Sequence, residues 1–428
     1  MSKELYQEAE NLYARAEKAY KFAGKTQIFN TREGSRLVDQ FNLLGQQIPE
    51  RVRPQNQDEV YQAELKRRLG GEGLFLEHWL SGHYYTFEDV VNLYDINPKD
   101  IGNLRGWLQE NRDDVLETVD AVYNRTEVED YQLSVPTNIP SFRRQAEEFT
   151  GTHIQDYHQK LGRLFSGLTT AGTFLRDIKA VPSSDPRSYF DLKTNMLALA
   201  IEAICYMTED QTLHINEREL IRLFGHEGMG HGLNKIITDN SNLPPFLKRN
   251  THSIHATIES IAQFYEKRIF EDLAASPKTQ SVLKIESRFP EIYQEEKDTQ
   301  RIKEYQTKLF YYGIHVLADK TLGDMSDPGS KQEAIQKKIE TLSEVALFPG
   351  FAVSFIENNT QNFDSKGNIN FNLATEMRYV SQTAQRVVDK MKEKGIDYDE
   401  KGRSRVDFIL LSGFWTPTGL LQNAEIVK

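Results

Sequence analysis

One cysteine stands in 428 residues, Cys205, so no disulfide can form within the chain, and such usage suits a reducing compartment. Basic residues are also short: 52 Lys and Arg face 63 Asp and Glu, a net charge of −11. That balance argues against nucleic acid as a partner, because phosphate binding needs a basic surface. Long apolar runs are missing too. The longest, Met196 to Met207, falls far below the ~20 residues of a membrane span and contains Glu202. It reads as a buried helix, in which Glu202 would need a partner. The first ten residues are charged from the start and lack the apolar core of a signal peptide, so a cytoplasmic protein without membrane contact is expected. Gly70-Gly71-Glu72-Gly73 lacks the Gly-Lys-Ser/Thr of a phosphate loop and reads as a lid hinge or a helix terminus. No tandem repeat or low-complexity tract is evident.

What is present is helical periodicity. Leu5/Tyr6, Leu12/Tyr13 and Ala19/Tyr20 recur every seven residues as a packing seam, and Thr86-Phe87-Glu88-Asp89 resembles a capping box. Helices are predicted over 57–69, 101–124, 153–178, 191–208, 215–238, 251–274, 297–320, 330–346 and 372–394, with few strand signals. Turn residues break the chain at Tyr131–Pro140, Val181–Pro186, Ser241–Pro245 and Asn358–Asn370. The expected fold is mainly α, with a helical N-terminal lobe over 1–140 and a second helical part over 141–428 that carries the motifs below, and 39% hydrophobic content is enough for a large core.

The chemistry-bearing stretch is Gly225-His226-Glu227-Gly228-Met229-Gly230-His231-Gly232. Two histidines and a carboxylate make a catalytic zinc set, and an acid beside the first histidine is placed to activate water. Zinc helices usually carry their histidines at i and i+4. Here they stand at i and i+5, roughly 140° apart on a regular helix. A π-type turn restores them to one face, and such turns concentrate at functional sites. Glycine at 228 and 230 permits that distortion and a close approach of substrate backbone. Upstream, Leu220, Ile221, Leu223 and Phe224 form an apolar stripe that would bury the helix.

In the 251–274 helix, Glu259, Gln263 and Glu266 share one face at i, i+4 and i+7. Glu259 is the preferred third ligand. Gln263 or Glu266 would accept the second N–H of a liganding histidine and fix its tautomer. His255, one turn before Glu259, competes as a ligand or a substrate contact. The alternative for both His252 and His255 is a plain surface position.

These motifs resemble the gluzincin peptidases with a His-Glu-x-x-x-His helix, and most closely a family of uncharacterised bacterial proteins whose motifs read HEAYPGHH and EGWALYAE. The second motif corresponds to Glu259-Ser260-Ile261-Ala262-Gln263-Phe264-Tyr265-Glu266, and the family's RYxxxPGQA to Arg378-Tyr379 through Gln385, without its proline and glycine. Val406 to Leu421 is similar to its closing helix, glycine and final helix, so the likeness spans roughly 150–428. Gly232 replaces the second histidine of the family's HH pair. A looser likeness is to tubulin tyrosine carboxypeptidases, through Glu259-Ser260-Ile261-Ala262. Both imply hydrolysis of a peptide substrate with Zn²⁺ as cofactor, and fold analogy with helical oligopeptidases implies two lobes around a central cleft.

On this reading His226, His231 and Glu259 hold zinc, which lowers the pKa of water to about 7, and Glu227 moves the proton. Tyr379 is a second oxyanion donor, and Arg378 a bidentate grip for a substrate carboxylate; a packed aromatic and a surface ion pair are the alternatives. Tyr311, Tyr312 and His315 form an aromatic-polar cluster that could line the cleft. Two other functions fit the same motifs: a zinc hydrolase of a non-peptide amide, and an inactive helical scaffold that keeps a metal site. Oligomeric state and the choice between internal and C-terminal cleavage are not encoded in any of these features.

Overall fold

Capping residues start several helices where the sequence places them. Asn56 accepts a hydrogen bond from Glu59 N at the head of Gln57–Ser81, Thr86 and Asp89 form the reciprocal capping box of Phe87–Leu93, and Asn216 opens Glu217–Leu223. The computed structural model describes residues 3–26, 31–50, 53–82, 84–95, 103–126, 133–166, 177–323, 329–364, 366–399 and 402–427. It is mainly helical, at 72%. The longer helices are Lys3–Thr26, Gln57–Ser81, Leu104–Thr126, Pro140–Ser166, His255–Ala274 and Phe289–Ala318. No described helix is long and apolar enough to cross a membrane.

The seven-residue seam of the first helix is a packing seam. Tyr6 stacks on Phe246, Tyr13 leans on Phe41, and Tyr20 meets Phe75 and Trp79. Two hydrophobic clusters form the core, and each draws residues from before and after position 140. Of the expected break at 131–140, residues 131 and 132 lie outside the described residues. Leu133–Ser134 is a short strand, and Pro140 takes the first helical position, where its missing N–H costs nothing. The predicted 153–178 helix occupies Pro140–Ser166 instead, and 167–176 lie outside the described residues.

Three expectations fail. The 191–208 segment is not a helix: Met196–Ala200 and Cys205–Met207 are strands joined by the single turn Ile201–Ile204. Met196–Ala200 is the central strand of its sheet, parallel to Lys179–Ser183 and antiparallel to Tyr189–Asp191. A strand covered on both faces is apolar throughout and loses the alternation that would have revealed it. Glu202 is exposed and accepts a hydrogen bond from the Thr137 hydroxyl, so no buried charge arises.

Gly70, Gly71 and Gly73 are neither hinge nor terminus but lie inside Gln57–Ser81. A Cβ on Gly71 would stand 2.8 Å from Ser253 Cβ, so glycine there lets this helix approach the segment leading into His255–Ala274. The predicted 372–394 helix is broken into Phe371–Glu376, a tight turn Met377–Val380, and Thr383–Glu393. The tail follows the expected pattern of helix, glycine and helix: Arg403–Leu411, Gly413 at φ +96°, and Pro417–Ile426.

Candidate metal centre

The helix begun at Glu217 changes character at Phe224. Phe224–Leu233 is a π-helix of ten residues, which is the geometry that an i, i+5 pair requires to face one way. Leu220, Ile221, Leu223 and Phe224 are buried and anchor it. Gly225 and Gly230 serve an approach of protein, where substrate approach was expected. A Cβ on Gly230 would stand 2.4 Å from Ala262 Cα, and one on Gly225 2.7 Å from Tyr265 O, so what comes close is the His255–Ala274 helix. A Cβ on Gly232 would stand 2.7 Å from Ile178 Cδ1 and 3.1 Å from Phe190 Cε2, so the second histidine of the related motif would have to displace both side chains.

That packing brings three donors together. His226 Nε2 lies 3.8 Å and His231 Nε2 4.0 Å from Glu259 Oε2, and the three donor atoms all fall within 4.8 Å of one another. Such separations are too long for hydrogen bonds. They match donors spread around an ion at about 2.0–2.2 Å, after closure by a few tenths of an ångström. Glu227, whose Oε2 is 4.0 Å from His231 Nε2, completes the group. Among the described residues this is the one cluster of three or more His, Cys, Asp or Glu able to hold a metal. The nitrogen and oxygen donors suit zinc.

The surroundings prepare His226 and His231 differently. His226 Nδ1 is 3.0 Å from Glu266 Oε2, so Nδ1–H donates to the carboxylate and Nε2 keeps its lone pair for the centre. Burial depresses the His226 pKa, but the Glu266 hydrogen bond and the charges of Glu266, Glu227 and Glu259 outweigh it and the net shift is upward. Burial pushes His231 down to about 4, with His226 and Arg378 adding to the shift, which leaves a neutral imidazole at pH 7. Burial raises Glu259, against the lowering pull of His226 and Arg378. Glu266 is also buried, yet His226, Arg222 and Lys303 together hold its carboxyl well below the usual range.

Of the two orienting candidates, Glu266 is the one that meets His226 Nδ1. Gln263 instead lines a cavity of about 360 Å³ together with His226, Ser260, Lys267, Tyr311 and Tyr379. His255 is not a ligand in this arrangement: its Nε2 meets Asn250 Oδ1 at 3.0 Å. Burial and the charges of His252 and Arg378 push it down to about 3. His252 pairs with the buried Glu72 at 3.3 Å, which also accepts from the Tyr20 hydroxyl.

Arg378 and Tyr379 come together because the Met377–Val380 turn lets neighbours face one way. Arg378 Nη2 donates to the Tyr379 hydroxyl at 2.6 Å, and Arg378 Nε stands 3.7 Å from Glu259 Oε1. Burial and the Glu259 charge raise the Tyr379 pKa, so the phenol keeps a proton to donate. The Tyr311–Tyr312–His315 cluster divides. Tyr311 reaches the cavity beside His226 and donates to Glu376 O; Tyr312 and His315 line a separate cavity of about 620 Å³.

Three partners escaped the sequence reading. Arg222 Nη1 lies 2.9 Å from Glu266 Oε2, and its place one turn before His226 was a usable signal. Gln300 donates to Glu266 Oε1 at 2.7 Å and Asn250 holds His255; no local pattern marks either. Compared with family models, curated proteins and solved structures, the chain matches none.

Proposed function

We propose that this protein is a zinc-dependent metallopeptidase in which His226, His231 and Glu259 hold the ion and Glu227 is the general base. The observation that carries the proposal is the convergence of the three donors with Glu227 on a π-turn and a facing helix. A structural zinc site is closed by four protein ligands. Three ligands with a further acid beside them fit a site that leaves a position for water. The sequence likeness to gluzincin peptidases points the same way.

Zinc bound there would act as a Lewis acid towards water and the scissile carbonyl. Glu227 takes the proton of the attacking water and returns it to the departing amine. Tyr379 donates to the carbonyl oxygen as its negative charge develops, while Arg378 holds the phenol oxygen from the other side. Glu266, anchored by Arg222 and Gln300, keeps His226 in one tautomer throughout. All four central side chains are reachable from solvent, with exposures of 15% for His226, 16% for His231 and Glu259, and 11% for Glu227.

The test is metal content by mass spectrometry together with hydrolysis of a mixed peptide library, comparing wild type with Glu227→Gln. Near-stoichiometric zinc, with cleavage lost in the variant, is the expected result. Zinc without cleavage of any peptide would replace this reading by a non-peptide amidase or an inactive scaffold, and absence of bound metal would remove the ligand assignment.

A further inference from the structure

The cavity of about 360 Å³ beside His226 differs in charge from the rest of the chain. Over the whole sequence the net charge is −11, yet three lysines, Lys267, Lys303 and Lys308, line this one space against two acids, Glu266 and Glu304. Glu266 is already engaged by His226 and Arg222. Glu304 belongs to Lys308, which meets it at 2.5 Å and also sits over the Trp107 ring. Two ammonium groups are left. Lys267, with 50% of its side chain exposed, meets Glu304 only at 4.0 Å, and Lys303, 43% exposed, meets Glu266 only at 3.4 Å. Tight charged hydrogen bonds run at about 2.7–2.9 Å. Neutral donors join them: Gln263 and Thr307 line the same cavity half-buried, and neither side chain has a hydrogen-bond partner among the described residues. An amide, a hydroxyl and two ammonium groups around one space that solvent enters form a receptor for a carboxylate.

Position ties this space to the reaction. Tyr379 and His226 line the cavity too, so it borders the proposed centre. On the helix His255–Ala274, Gln263 follows Glu259 by one turn and Lys267 by two, displacements of about 6 and 12 Å along the axis. Extended peptide advances about 3.5 Å per residue. A side chain that meets Lys267 therefore belongs to a residue within about three positions of the bond held at the centre.

We infer that this cavity binds the side-chain carboxylate of a substrate glutamate or aspartate close to the cleaved bond, and that Lys267 and Lys303 select for it. The inference deepens the peptidase reading above and rests on it. Glutamine in the same place would keep the shape and lose the attraction, and lysine would be repelled. The chain as a whole is acidic and does not gather such peptides, so the selection is local and is screened by salt.

The experiment uses one neutral decapeptide and a set of its variants, each with a single glutamate at a different position. Products formed by the zinc-loaded protein are identified by mass spectrometry, and kcat/KM is measured for each peptide. The expected result is that glutamate at one position, within about three residues of the cut, raises kcat/KM about three- to tenfold over the parent. The advantage should shrink as salt rises from about 0.01 to 1 M. Lys267 is exposed enough to be exchanged without disturbing the core. Lys267→Gln should reduce the ratio of glutamate peptide to parent, and Lys267→Glu should turn the preference towards a lysine at the same position; a merely structural role would lower all rates alike. Equal rates for every position, or a preference untouched by both Lys267 variants, would overturn the inference while leaving zinc-dependent peptide hydrolysis intact. If no peptide is cut, calorimetric binding to the zinc-loaded protein decides separately. Tighter binding of one glutamate peptide, lost in Lys267→Gln, would support the cavity and remove the peptidase reading, and equal binding of all would remove both.

Discussion

Replacing Glu266 by glutamine removes one charge from beneath His226 and almost nothing from its outline. The carboxylate is only 7% exposed and serves four groups: His226 Nδ1 at 3.0 Å, Arg222 Nη1 at 2.9 Å, Gln300 Nε2 at 2.7 Å and Lys303 Nζ at 3.4 Å. The variant does not orphan the cations. Arg222 keeps Glu219 at 2.6 and 2.8 Å, and Lys303, with 43% of its side chain exposed, remains hydrated. The loss of fold stability should therefore be limited to about 1–3 kcal/mol, the usual range for losing a buried charged hydrogen-bond partner. The effect on the metal is of a different kind. A neutral amide polarises the His226 imidazole less than a carboxylate does and no longer selects one tautomer, and losses of outer-shell partners cost about 10–100-fold in affinity. That corresponds to about 1.4–2.7 kcal/mol. Zinc dissociation constants from competition with a chromophoric chelator, at a pH where both proteins are folded by circular dichroism, measure it directly. A folded Glu266→Gln protein whose zinc affinity stays within about threefold of wild type would refute the assignment of Glu266 as the group that orients His226.

Other expectations concern the frame of the site. Gly230→Ala would place a methyl 2.4 Å from Ala262 Cα and 3.1 Å from Ala262 N, atoms of the backbone that cannot rotate away. It should lower stability by about 1–3 kcal/mol or more in urea titration, and an unchanged midpoint would show that the two helices do not make this contact. Arg403 binds Asp272 through two bonds, at 2.6 and 2.5 Å, deep in the core. Arg403→Met should cost about 3–5 kcal/mol; adding Asp272→Leu should recover only part of it, because Asp407 also loses Arg403 and Arg268 loses Asp272, and strict additivity of the two single changes would contradict the coupling. His158 is 7% exposed beside Phe224, and burial lowers its pKa from the ordinary 6.5. Because the unfolded chain then takes up a proton that the folded chain refuses, stability should fall as pH drops below about 6.5, at up to about 1.4 kcal/mol per pH unit. Chemical denaturation at pH 7.5, 6.5 and 5.5 should show a shallower decline in His158→Phe, and parallel curves would count against the assignment.

The clustering of His226, His231 and Glu259 was more legible in the sequence than the fold around it, for a physical reason. Ligand spacing is a local property: the i, i+5 interval between His226 and His231 demanded a wide turn, and glycine marked where the backbone could supply it. The face shared by Glu259 and Glu266 was equally local, since helical geometry alone aligns them. Met196 to Met207 shows the opposite case. Its residues are apolar whether the segment is a buried helix or a central strand, and only its neighbours Lys179–Ser183 and Tyr189–Asp191, set by the whole chain, decide. The break at Met377–Val380 has no proline to announce it, yet it turns Arg378 and Tyr379 towards the same centre. Gln300 comes from a helix far along the chain and shares no pattern with the residue it supports.

One contact links the local to the distant. Ala262 lies between Glu259 and Glu266 on its helix, and Gly230 lies between His226 and His231 on the π-helix that faces it. Their backbones approach so closely that no side chain larger than hydrogen fits at 230. That contact fixes the register of the two elements. Sliding either helix by one turn, about 5.4 Å, would carry Glu259 away from both histidines and Glu266 away from His226 Nδ1 at once. At Gly230 the close approach expected for substrate is made instead by protein backbone, and it holds Glu259 and Glu266 in place together. Glycine at 230 therefore belongs to the proposed metal centre without contributing a donor, and if zinc binds there a methyl at 230 should weaken that binding in proportion to the displacement it forces on Glu259.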